Sequence, residues 1–144
     1  MLARRELSEA QVRQRLAKRG ESQDSIDDAV ARLKAERGID DERVAGAIAR
    51  AQATGRKRGR RRVLQQIEAA GIAASIASRA VDEVFQSVDV DALLSASLSK
   101  RLRGRARIAD DREFQRLFRY LSGQGFDSDK ILAHLRKYQP RSRS

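Results

Sequence analysis

Apolar residues recur along this chain at spacings of three and four, the period of one helix face. Val12 and Leu16 follow Ser8-x-x-Gln11, which has the form of a capping box, and Gly20 follows as a C-terminal stop. A second helix begins near Asp24, carries Ile26, Ala29, Val30 and Leu33, and ends at Gly38. Asp40 caps a third helix with Val44, Ala47, Ile48 and Ala51, running to about Thr54. After Gly55 the pattern resumes with Val63, Leu64 and Ile67, stopped by Gly71, and then with Ile76, Ala80, Val81, Val84 and Phe85. Asp89 or Asp91 caps a sixth helix through Leu93, Leu94 and Leu98. Residues 104–109 read as a connection. Phe114, Leu117, Phe118 and Leu121 mark a seventh helix, and Ile131, Leu135 and Tyr138 an eighth. The tail from Pro140 is expected to fray. No segment reads as a strand, because β-branched and aromatic runs are missing. The expected fold class is all-α.

The pattern repeats when the chain is aligned on Gly20, Gly71 and Gly125. Val12, Val63 and Leu117 stand eight residues before the glycines, and Leu16, Ile67 and Leu121 four before. Val30, Val81 and Leu135 stand ten after, and Leu33, Val84 and Tyr138 thirteen after. Ile26, Ile76 and Ile131 fall five or six after. The glycines are 51 and 54 residues apart. Agreement at several positions in three copies indicates a repeated unit of helix, glycine turn, helix and third helix. The implied modules are 1–54, 55–106 with a basic loop at its start, and 107–144, a copy lacking its third helix and ending in a basic tail.

Composition supports thin modules. Hydrophobic residues are 40% and aromatics 4% of 144 residues, against a usual apolar share of about 45–50%. A single thick core is hard to build from that material, whereas stacked modules each bury only a narrow stripe. Cysteine is absent, which excludes disulfides and cysteine metal sites and suits a reducing cytoplasm. No apolar stretch approaches the roughly 18–20 residues of a membrane span, and Met1–Glu6 has no apolar signal-peptide core. A cytoplasmic protein is expected.

Charge adds a functional direction. The net charge is +11: residues 1–54 hold 11 Lys/Arg against 10 Asp/Glu, and residues 55–144 hold 20 against 10. A bias confined to one part of the chain points to a polyanion or an acidic protein face. The first basic run is Arg56, Lys57, Arg58, Arg60, Arg61 and Arg62, between and after two glycines. Arg suits oxyanions because its planar fork binds two oxygens at once. The bland reading is a solvated loop. The second run is Lys100, Arg101, Arg103, Arg105 and Arg107 at a helix end, where cations are also favoured by the helix dipole. Asp40-Asp41-Glu42, Asp89 and Asp91 read as helix-start acids rather than metal ligands. His134, the one histidine, reads as a helix-surface residue. Gly55 and Gly59 lead into Arg-Arg-Arg, not the Gly-Lys-Ser/Thr of a phosphate loop, so no ATPase activity is expected. No catalytic, cofactor or metal residue is assigned.

Several stretches resemble the RecX family of regulatory proteins. Leu2-Ala3-Arg4-Arg5-Glu6-Leu7-Ser8-x-x-x-Val12 is similar to the family's N-terminal signature, and Gly38-Ile39-Asp40-Asp41-x-x-Val44-Ala45 to a later segment. Gly59-x-x-x-Val63-x-x-x-Ile67-x-x-x-Gly71-Ile72, Asp89-Val90-Asp91, and Phe114 through Gly125-Phe126 to Ile131 follow in order. Leu7 stands for the usual His, Val44 for an aromatic, and Ala92 where Trp is frequent; the loop before Gly59 is longer and more basic than usual. The resemblance implies an elongated, curved array of three-helix repeats. It also implies a non-catalytic protein that binds the RecA–DNA filament and restrains its ATP hydrolysis and strand exchange, in DNA repair and the SOS response; a monomer is expected. DNA would be met in the filament or directly. Arg4 and Arg5 join the candidate partner-binding residues because they match the family motif; alternatively they pair with Glu6 or Glu9. A general nucleic-acid-binding helical protein and a structural interaction domain are the other readings.

Overall fold

A computed structural model describes residues 6–139. Among them are eight α-helices and no strands: α1 (Glu9–Lys18), α2 (Gln23–Ala35), α3 (Asp41–Arg50), α4 (Arg60–Ala69), α5 (Ala74–Phe85), α6 (Val90–Leu102), α7 (Asp111–Gly123) and α8 (Ser128–Arg136). The all-α helical-repeat class expected from the periodicity is the class observed. By mutual contact the chain forms two compact units. Unit 1 gathers the residues up to 50 with 64–84, and unit 2 gathers 51–63 with the residues from 85 onward.

In unit 1, Ser8 starts α1 with the expected capping box: its Oγ accepts from the Gln11 N–H at 3.2 Å, and the Ser8 N–H donates to Gln11 Oε1 at 3.0 Å. The same Oγ donates to the Ala70 carbonyl, so the buried hydroxyl also ties α1 to the end of α4. Asp40 caps α3 by accepting from the Arg43 N–H. Asp41 does something its position at a helix start did not suggest: its Oδ1 accepts from the Glu9 N–H at 2.9 Å, satisfying a free donor at the start of α1. Ile26, Val30 and Ile39 are buried together, flanked by Val12, Leu16 and Leu33.

The three alignment glycines share one conformation. Gly20, Gly71 and Gly125 have φ of +86°, +79° and +98°. After α1, the Gly20 N–H reaches the Ala17 carbonyl and the Glu21 N–H the Leu16 carbonyl; after α7, Gly125 and Phe126 repeat this with Ser122 and Leu121. Each pair is a Schellman stop, which requires a left-handed residue and favours glycine.

Unit 2 has a leucine-rich core. Leu94, Leu98 and Leu102 of α6 pack with Leu117, Leu121, Phe126, Ile131 and Leu135. Burying each such side chain contributes about 1.5–3 kcal/mol. The connection at 104–109 is not only a link: Ile108 is buried in this core and its N–H donates to the Tyr138 carbonyl at 2.8 Å. His134 corrects an expectation. It is 7% exposed, not a surface residue, because it shares the α8 stripe with Ile131 and Leu135. Its Nε2 lies 3.0 Å from Asp91 Oδ1, which Lys130 also approaches at 3.3 Å.

Candidate functional site

Helical backbone runs to about Thr54 as expected, but its last turn (Ala51–Gly55), directly after α3, is a π turn closed by the Arg56 N–H on the Ala51 carbonyl. The wider turn redirects the chain. Lys57 is left-handed, at φ +54°, and the Arg58 N–H returns to the Gln52 carbonyl. Arg58 is then held by its guanidinium on Gln52 Oε1 at 3.0 Å.

Two glycines fix the exit from this loop. The Gly59 N–H donates to the Gln124 carbonyl at 2.8 Å, and the Arg61 N–H to the Gly125 carbonyl at 3.2 Å. A Cβ on Gly59 would collide with the Gly125 backbone, and one on Gly125 with Arg62. The cationic loop is therefore seated on the C-terminal end of α7 by a backbone contact that tolerates no side chain.

That seating brings the two basic runs together within unit 2. Arg56, Lys57 and Arg58 line one wall of an open groove of about 920 Å³; Ala96, Ser97, Lys100, Arg101 and Arg103 line another, and Tyr120 and Gln124 complete it. A second groove, about 510 Å³, shares Arg101, Arg103 and Tyr120 with the first and adds Arg105, Glu113, Arg116 and Leu117. The Arg101 guanidinium lies over the Tyr120 ring, 3.6 Å from its centroid. Arg56, Lys57, Lys100 and Arg103 are exposed, and among the described residues their side chains have no hydrogen bond or ion pair.

The positive charge is crowded. Burial pulls Arg58 below its ordinary pKa, and the neighbouring Arg62 and Arg56 charges lower it further. Arg62 Nε is buried with no hydrogen-bond partner among the described residues. One carboxylate lies on the lining, and it is engaged. Arg105 donates to both Glu113 oxygens, at 3.0 and 2.6 Å, and this holds the Glu113 pKa down at about 2, helped by the Ala109 N–H.

The sequence-derived residues thus divide. Arg56, Lys57, Arg58, Lys100, Arg101 and Arg103 meet at the groove, while Arg105 lines the second groove but is spent on Glu113. Arg60, Arg61 and Arg62 begin α4 outside the lining; Arg61 donates to the Ser122 carbonyl at 2.7 Å. Arg107 is exposed beyond both grooves. Arg4 and Arg5 lie outside the described residues. Sequence reasoning missed Tyr120, Gln124 and Arg116. Their spacing along α7 (116, 120, 124) was a readable signal, since residues four apart share a helix face.

Fold and groove define a class: a helical-repeat protein whose second unit carries an open cationic groove. The first three-helix domain of RecX matches residues 1–33. The regulatory protein RecX of Syntrophotalea carbinolica is 33% identical over 89% of this chain and 84% of its own length. That of Halorhodospira halophila is 31% identical over 92% and 80%. Crystal structures agree in fold: a regulatory protein RecX matches with a TM-score of 0.73 at 20% identity, covering 90% of this chain and 63% of that one. RecX from Lactobacillus salivarius matches with 0.68 at 18%, covering 90% and 86%. The chain belongs to the RecX family of regulatory proteins. No helix among the described residues is long and apolar enough to cross a membrane.

Proposed function

We propose that this chain is a non-catalytic, cytoplasmic regulator that binds the RecA–DNA filament as a monomer and restrains its ATP hydrolysis and strand exchange. The family supports the regulatory role. The observation that carries the binding reading is the meeting of Arg56–Arg58 with Lys100, Arg101 and Arg103 at one groove, with four of these cations unpartnered among the described residues. A polyanionic filament offers such a surface dense phosphate or carboxylate, and the field of the groove would speed the encounter. The module bounds 1–54, 55–106 and 107–144 are proposed alongside it from the glycine alignment.

The test is a titration of the protein into RecA hydrolysing ATP on single-stranded DNA. A saturable fall in hydrolysis and strand exchange is expected. Unchanged rates at saturating protein would sink the proposal.

A further inference from the structure

We infer that the groove of unit 2 takes a single nucleic-acid strand directly, with a base stacked on the guanidinium plane of Arg101 and phosphates held by the cations on either side. The inference concerns the same site as the proposed filament contact and rests on that reading for its biological setting, but its chemistry stands on the structure of unit 2.

The Arg101–Tyr120 pair supplies the platform. Tyr120 is half-buried against the leucine core, so the ring is fixed. Arg101 covers it at 3.6 Å from the centroid and is itself exposed. A flat cation backed by an anchored ring has little orientation left to lose, and unstacked bases settle on such planes. The pair also stands where the two grooves meet, since both are lined by Arg101, Arg103 and Tyr120. Positive charge continues past it, through Arg56, Lys57 and Lys100 on one side and Arg116 on the other. A linear polyanion could run through both grooves and cross the platform. The repulsion of Arg58 by Arg62 and Arg56 is what an incoming phosphate would relieve.

The same features disfavour an acidic protein face. Carboxylates pair with a guanidinium through its N–H edge and not its face, so they would leave the stacking plane unused. A duplex is disfavoured as well, because its bases are already stacked inside.

The experiment is fluorescence anisotropy of the full chain with a labelled 12-nucleotide thymidylate strand. Its companions are an abasic strand of the same length, a duplex of the same length, and an oligoglutamate competitor of matched charge. The thymidylate strand should bind roughly tenfold tighter than the abasic one. With about five phosphates held, log affinity should fall against log salt with a slope of about −3.5. Arg101→Lys keeps the charge and removes the plane, so it should bring thymidylate affinity down to the abasic level. Tyr120→Leu should do the same; if it melts, Arg101→Lys still decides. Lys57→Ser should weaken both strands by one common factor.

Equal affinity for the thymidylate and abasic strands overturns the inference. So does tighter binding of the duplex, no binding at low salt, or competition by oligoglutamate as strong as by unlabelled thymidylate. The RecA assay run in parallel separates the two readings. Restraint of RecA without base preference leaves the filament reading standing and removes this one. Base preference without any effect on RecA does the reverse.

Discussion

Unit 1 and unit 2 use the same helix–glycine–helix grammar and opposite electrostatics. Counted over the residues assigned to each, unit 1 holds 12 Lys/Arg and 13 Asp/Glu, and unit 2 holds 19 and 7. Unit 1 is nearly balanced, and part of its charge is paired within it. Lys34 meets Glu9 at 2.5 Å, Arg13 meets Asp27 at 2.7 Å, Arg43 meets Glu6 at 2.7 Å and Arg79 meets Glu42 at 3.3 Å. Unit 2 places most of its large buried side chains in one cluster and leaves a row of cations on its surface. Helical modules that look alike in hydrophobic pattern can therefore differ in surface charge: both bury an apolar core, and the unpaired cations of the groove lie on unit 2.

The largest expected effect tests those cores. Leu98 is fully buried in unit 2, and Leu98→Ala should cost about 2–5 kcal/mol by lost burial plus the cavity left behind. Val30→Ala in unit 1 should cost less, about 2 kcal/mol. Urea denaturation of both variants measures the difference; an equal or reversed order would break the comparison.

Charge comes next. Replacing Arg56, Lys57 and Arg103 together by Ser should weaken filament binding roughly tenfold while leaving the melting temperature unchanged or higher, since the cations repel one another. The control is Arg15, Lys18 and Arg32 of unit 1, all exposed, whose replacement by Ser should leave filament affinity within about twofold at moderate salt. Equal losses from the two triples would show that net charge matters and the groove does not.

The polar ties of unit 1 are sharpened by Ser8→Ala. It removes a buried hydroxyl serving both the Gln11 N–H and the Ala70 carbonyl, and should cost about 1–2 kcal/mol. Asp89→Ala, which removes an exposed cap on the Ala92 N–H in unit 2, should cost less in the same thermal melts.

The smallest effect is in acid. The folded pKa of Glu113 is depressed to about 2 by Arg105. Its stabilising contribution is therefore complete above the ordinary value of 4.5 and is lost as pH falls toward 2. Glu113→Gln should flatten the melting-temperature profile of the wild type across that window. Glu9, lowered chiefly by its hydrogen bond with Lys34, should give the same sign in unit 1. A profile for Glu113→Gln parallel to wild type would remove the Arg105 pair as the cause.

Much of the helix pattern was legible because capping and stopping are local. Ser8, Asp40, Gly20, Gly71 and Gly125 act within a few residues of themselves. What failed was non-local. His134 is the exception, since it falls on the local α8 stripe with Ile131 and Leu135 and was misread; only its partner Asp91, 43 residues away, is non-local. The run Arg56–Arg62 looked like one cationic loop, yet a π turn and the Gly59–Gly125 contact send its first three cations to the groove and its last three into α4. Tyr120 lies on a readable α7 stripe, but nothing in that stripe shows that Arg101, 19 residues earlier, covers it.

The sequence by itself determined the all-α class, the position of most helix starts and stops, and the concentration of positive charge after residue 54, because each depends on short-range periodicity or composition; the family was legible from its ordered motifs. Only the tertiary structure decided which of those charges share a surface. Arg56 and Lys100 are 44 residues apart in the chain, and nothing local relates them. Their meeting depends on how the backbone at Gly59 seats against Gly125 and on how α6 packs with α7, and those contacts are settled by close packing in three dimensions.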